Sequence, residues 1–124
     1  MEHNMVGWFE IPVTDMDRAK KFYETVFDIN ITIHELEGLK MGWFPIVPNT
    51  SGATGSLVQH ESYVPSTDGA VLYFSCIDVA LELGRVTDAG GSILQDKKKI
   101  GEGHGFMALI LDCEGNRIAL HSQK

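Results

Sequence analysis

The chain has 124 residues and a mass of 13.7 kDa, enough for one domain or for two small repeats sharing a core. Apolar residues make up 44% and charged residues 22%, ordinary values for a globular protein, and the longest apolar run, Phe106 to Leu111, is far short of the ~20 residues of a membrane helix. A net charge of −7 makes a phosphate backbone a poor partner, and Met-Glu-His-Asn at the start lacks the regions of a signal peptide. A cytoplasmic protein with neither nucleic acid nor membrane as partner is therefore expected. Cys76 and Cys113 stand in no metal or redox spacing, which fits reduced thiols.

Residues Val6 to Val13 alternate, with Phe9, Ile11 and Val13 on one face and Trp8, Glu10 and Pro12 on the other. Period two predicts a strand with one face in an apolar core. Asp15 offers an N-cap, and Ala19, Phe22, Tyr23, Val26 and Phe27 then follow at the spacing of an amphipathic helix. Asp28 and Asn30 end it. Ile29–Leu36 and Leu39–Val47 read as strands joined at Gly38, and Gly55–His60 as a short fourth strand. The segment 61–69 is polar, holds Pro65 and Gly69, and reads as a linker.

The same order then returns. Val71–Ile77 reads as a strand, Asp78 as an N-cap, and Val79, Leu83, Val86 and Thr87 as a weaker helical stripe stopped by Gly90-Gly91. Ser92–Lys99, His104–Leu111 and Arg117–His121 read as strands, with a turn at Asp112–Gly115. The triple Lys97-Lys98-Lys99 suits a solvent-facing edge strand. The fold class is thus α+β: two βαβββ modules, about 5–60 and 70–122, in one domain. Their helices pack outside, and a cleft forms between curled mixed sheets.

Several stretches carry a resemblance: Phe9-Glu-Ile-Pro-Val-Thr-Asp15 running into a helix with Phe22-Tyr23 and Val26-Phe27, Tyr73-Phe-Ser-Cys-Ile-Asp78, Ala89-Gly-Gly91, and Asp112-Cys-Glu-Gly-Asn116. Together they span nearly the whole chain, and it resembles the vicinal oxygen chelate superfamily. That superfamily includes glyoxalase I, bleomycin-resistance proteins, methylmalonyl-CoA epimerase and extradiol dioxygenases. The resemblance implies homodimers, sometimes with modules paired across chains. It also implies a divalent metal held by His, Glu or Gln from the first and fourth strands of each module, which polarises vicinal oxygens or activates dioxygen. Carried over one position at a time, the ligands fall on Trp8, seven residues before Asp15; near Gly55 or Ser56; on Leu72, with Val71 and Tyr73 as neighbours; and on Ala119, seven residues after Asp112. Indole has only an N–H donor, and Leu and Ala have no donor atom. No metal and no other cofactor is therefore expected.

Strand parity places Arg117, Ala119 and His121 on the face opposite Ile118 and Leu120. Glu10 and His121 each lie two residues beyond a lost ligand position, so a carboxylate facing an imidazole would serve as general base or polar anchor. The plainer alternatives are a Glu10–Arg117 ion pair and a solvated His121. Trp8, Trp43, Phe44 and Phe74 are the aromatics expected near the cleft, with Tyr73 facing the core. A Trp in the metal's place offers a flat apolar surface suited to organic molecules. His104, in the Gly101–Gly105 loop, is placed at the cleft mouth. The expected ligand contacts are Trp8, Glu10, Trp43, Leu72, Phe74, His104, Arg117, Ala119 and His121. Three functions remain open: a metal-free binder of a small organic molecule; a lyase, isomerase or dioxygenase using Glu10 and His121 with a relocated metal or none; and a structural dimer module with a vestigial cleft.

Overall fold

The computed structural model describes residues 2–124. Among them the order is β1 (Phe9–Val13), α1 (Met16–Phe27), β2 (Thr32–Leu36), β3 (Leu39–Trp43) and β4 (Gly55–Gln59), then β5 (Leu72–Ser75), α2 (Val79–Val86), β6 (Ser92–Lys99), β7 (Phe106–Leu111) and β8 (Arg117–Ser122). The chain is α+β with the expected βαβββ repeat. Its sheets are two four-stranded mixed sheets, ordered β1-β4-β3-β2 and β5-β8-β7-β6, and they do not close on each other. In each, the strand before the helix pairs parallel with the last strand of its module.

Each helix begins where its aspartate caps it. The Asp15 carboxylate accepts from the Arg18 backbone N–H at 3.1 Å, and that of Asp78 from the Ala80 N–H at 2.9 Å. Helix α1 ends at Asp28 in the left-handed conformation, φ 54°. Ile11, Val13, Phe22, Tyr23, Val26 and Leu57 of the first module and Val79, Val86, Ala108, Ile110, Ile118 and Leu120 of the second share one buried core on the helix side of both sheets. Hydrogen bonds tie the modules together. The Tyr23 hydroxyl donates to Asp112 at 2.6 Å, the Asn116 amide to the Pro12 carbonyl at 2.8 Å, and Arg85 to the Val26 carbonyl at 2.9 Å.

Several strands are shorter than their apolar runs. β1 starts at Phe9, not Val6, and β2 at Thr32, not Ile29, because Ile31 is drawn into the core and its N–H is taken by the Glu24 carboxylate. β3 stops at Trp43, two residues before Pro45. β7 starts after Gly105, whose φ of 78° breaks the extended run at His104. The lysine triple does lie on an edge strand, but Lys97 is not a free surface charge. It pairs with Asp78 at 2.9 Å and lies over the Phe106 ring, 4.7 Å from its centre.

One parity expectation is reversed. Leu72 stands beside Ile118 and Phe74 beside Leu120, so both point to the helix side and pack on the core. Tyr73 and Ser75 point the other way, and Tyr73 is 56% exposed. Residues 71–77 are apolar on both faces, so composition does not mark the buried one; pairing with β8 does.

Candidate functional site

Register assembles the helix-free faces. In the first sheet Glu10 stands beside Ser56, and Ser56 opposite Trp43. In the second, Tyr73 stands beside Ala119, which lies opposite Leu109. Trp8 precedes β1 and meets Trp43 edge to face at 5.8 Å between ring centres, and Trp43 in turn carries the His34 ring at 4.1 Å. The Trp43 indole nitrogen and the Ser56 hydroxyl are both buried without a hydrogen-bond partner.

A cavity of about 350 Å³ opens at the seam between the modules. Trp8, Glu10 and Pro12 form one side, Arg117 and Leu72 the other, and Val64 and Asp68 of the linker cover it. This linker, read from sequence as a mere connection, is a wall of the site. The Tyr63 hydroxyl donates to Glu10 at 3.0 Å, and the Ser66 N–H donates to the Asn116 side chain at 3.1 Å. Tyr63, Val64 and Asp68 escaped the sequence reading. The available signal was an aromatic and a valine beside Pro65 in an otherwise polar stretch, since solvated linkers rarely carry either.

The other expected residues divide. Trp8, Glu10, Leu72 and Arg117 line the seam cavity, although Leu72 reaches it from the core side. Trp43 touches Trp8 from the adjoining face. Ala119 is fully buried, and Phe74 joins the aromatic cluster of Phe9, Tyr23, Phe27 and Phe44. His121 does not line the seam cavity; its Nε2–H donates to the His104 carbonyl at 2.8 Å, which closes the glycine loop onto β8. The expected Glu10–His121 pair is therefore not assembled within the chain. Nor is the Glu10–Arg117 ion pair among those formed by the described residues.

Phe9, Phe27, Phe44 and Phe74 line a second cavity, of about 440 Å³, beneath loop 45–54. No charged group among the described residues lines it. The Thr50 and Thr54 hydroxyls there donate to the Val47 and Pro45 carbonyls, which leaves the Ser51 hydroxyl as the side-chain donor for a ligand. Neither cysteine is poised as a nucleophile: burial pushes both the Cys76 and the Cys113 thiol up to about 12.

Comparison with known proteins settles the family. The family model described as Glyoxalase/Bleomycin resistance protein/Dioxygenase superfamily matches residues 5–120. The chain belongs to this superfamily. A glyoxylase-like domain-containing protein of Didymella fabae is 28% identical over 124 residues, covering 95% of this chain and 93% of that one. Among solved structures, the antibiotic binding protein TnmS3 of Streptomyces sp. CB03234 superposes with a TM-score of 0.69 at 20% identity, covering 100% of this chain and 99% of that one. The fosfomycin resistance protein FosX of Listeria monocytogenes gives 0.69 at 15%, covering 100% and 94%.

Strand register locates the superfamily's metal positions in this chain. Trp8 keeps its place beside the seam cavity and offers a ring instead of a lone pair. Ser56 and Ala119 occupy matching places beside Glu10 and Tyr73. Leu72 does not belong to this set, because it points to the core; Tyr73, one residue on, faces the right way. The set Trp8, Glu10, Ser56, Tyr73 and Ala119 offers one carboxylate, that of Glu10, and no imidazole or thiolate, where a catalytic site needs three protein ligands. Among the described residues no three His, Cys, Asp or Glu converge as metal ligands. The residues present do not fit the superfamily's divalent metal.

Proposed function

We propose that this protein binds a small organic molecule in the seam cavity without a metal ion or other cofactor. The observation that carries the reading is the placement of Trp8, whose indole lines the cavity at the position from which a superfamily enzyme would present a metal ligand. A flat apolar wall there, a carboxylate held by Tyr63 and a cation on the far side suit binding and orientation. The likeness to TnmS3, described as antibiotic binding, supports the same direction. Catalysis by Glu10 and His121 has less support, since Glu10 lies in the cavity and His121 is committed to the glycine loop.

The test is a thermal-shift screen of aromatic organic compounds against protein held in chelator. A ligand at a hundred times its Kd stabilises by about 2.7 kcal/mol, a shift of several degrees for a chain of this size. The reading expects hits in chelator that vanish in Trp8→Ala. Hits that appear only after a divalent ion is added would refute it.

We also propose that the chain pairs with itself. Val6, Ile46, Val47 and Tyr73 are exposed apolar side chains around the free edges of β1 and β5. Light scattering is expected to give twice the 13.7 kDa chain mass; the single-chain mass across a wide concentration range would exclude pairing.

A further inference from the structure

Among the described residues Arg117 is the one cationic side chain that lines the seam cavity, and no carboxylate among them pairs with it. Its Nε is buried without a hydrogen-bond partner, and the guanidinium joins none of the ion pairs among the described residues. A buried donor left unpaired costs stability and calls for an explanation. The natural candidate, Glu10, accepts from the Tyr63 hydroxyl and forms no ion pair with Arg117. Asn116, on the same wall, cannot help a ligand either, because its amide donates to Pro12 and Asp112 and its oxygen accepts from Ser66. The remaining charge in the lining is the carboxylate of Asp68 on the exposed linker.

We propose that the ligand carries a carboxylate, that Arg117 receives it, and that the aromatic body of the same molecule lies against Trp8. The inference rests on the metal-free binding reading above. Guanidinium and carboxylate match in plane and charge, and such charge-assisted bonds are stronger than neutral ones. The two carboxylates in the lining set an upper limit on ligand charge. With Glu10 and Asp68 against Arg117 the cavity carries a formal −1, so a dianion such as a phosphate monoester is repelled. A monoanion enters only if its apolar body supplies much of the affinity, which the Trp8, Val64, Leu72 and Pro12 walls provide.

Three probes sharing one body test this: 2-naphthoate, 2-naphthamide and 2-naphthyl phosphate, titrated by calorimetry against the full chain, Arg117→Met, Arg117→Lys and Trp8→Leu. The proposal expects naphthoate to bind about tenfold or more tightly than the amide, and the phosphate to bind worse than naphthoate. In Arg117→Met the advantage of naphthoate over the amide disappears while the amide still binds; Arg117→Lys recovers part of that advantage. Trp8→Leu weakens all three. Because the amide reports on the same pocket, a variant that merely misfolds is recognised by its loss of both ligands, and Arg117→Lys then decides through the ratio of the two affinities. Equal binding of naphthoate and naphthamide by the native chain would overturn the carboxylate assignment and leave the binding reading intact. Failure of all three probes, or binding indifferent to Trp8, would overturn both.

Discussion

Glu114 shows how much one side chain can hold. It sits in the turn before β8, yet its fully buried carboxylate serves the other module. One oxygen accepts from the Thr14 N–H, the Thr14 hydroxyl and the Asp15 N–H, and the other pairs with Arg18 at 2.6 Å. It thereby satisfies backbone donors at the start of α1 that the helix cannot satisfy itself. Burial pushes this carboxyl up, but the Arg18 guanidinium and the Thr14 and Asp15 donors outweigh it and hold the group below the ordinary glutamate value. A depressed folded-state value means that the carboxylate stabilises the fold above the unfolded value of 4.5, and that this contribution is lost as pH falls through the folded value. Glu114→Gln is accordingly expected to cost about 2–4 kcal/mol at pH 7 in urea unfolding, with the difference from the native chain shrinking below pH 4.5. A constant difference down to pH 3 would contradict the ion-pair account.

Elements were legible where their two faces differ. In β1 the alternation of Phe9, Ile11 and Val13 against Glu10 and Pro12 fixes the core face, and Asp15 fixes the helix start. In β5 Leu72, Tyr73 and Phe74 are all apolar, so the alternation carries no sign, and the face is set by partners on β8 more than forty residues away. The linker misled for a different reason: its polarity says that it meets water, and nothing local says that Tyr63 reaches Glu10 or that the exposed Val64 lines the cavity. That Trp8 and Ala119 carry no lone pair for a metal is a matter of residue type alone. The cavity itself was not legible, since it arises where β1 approaches the start of β8. Helix α2 ends at Val86, ahead of the Gly90-Gly91 stop read from sequence, and Gly91 is required instead by close packing. A Cβ on Gly91 would stand 2.5 Å from the Leu111 carbonyl oxygen and 2.8 Å from the Phe22 ring. Gly91→Ala therefore forces β6, β7 or α1 apart, at an expected cost of about 1–3 kcal/mol in urea denaturation; an unchanged midpoint would show that the contact relaxes freely.

At the scale of the molecule, two modules share a core on the helix side of both sheets. The ties across the seam, Tyr23 to Asp112, Asn116 to Pro12 and Glu114 to Arg18, fix the walls of the cavity relative to each other. On the metal-free reading proposed above, a site so fixed orients a ligand by shape and by a few charges. No helix among the described residues is long and apolar enough to cross a membrane. The most direct test of metal-free binding is one calorimetric titration of an aromatic ligand from the screen, run on chelated protein shown by elemental analysis to be free of divalent ions, and repeated after adding one equivalent of Zn²⁺, Ni²⁺, Mn²⁺ or Fe²⁺. The account predicts the same affinity in every case, lost in Trp8→Ala. Binding that appears only with one ion per chain would contradict it.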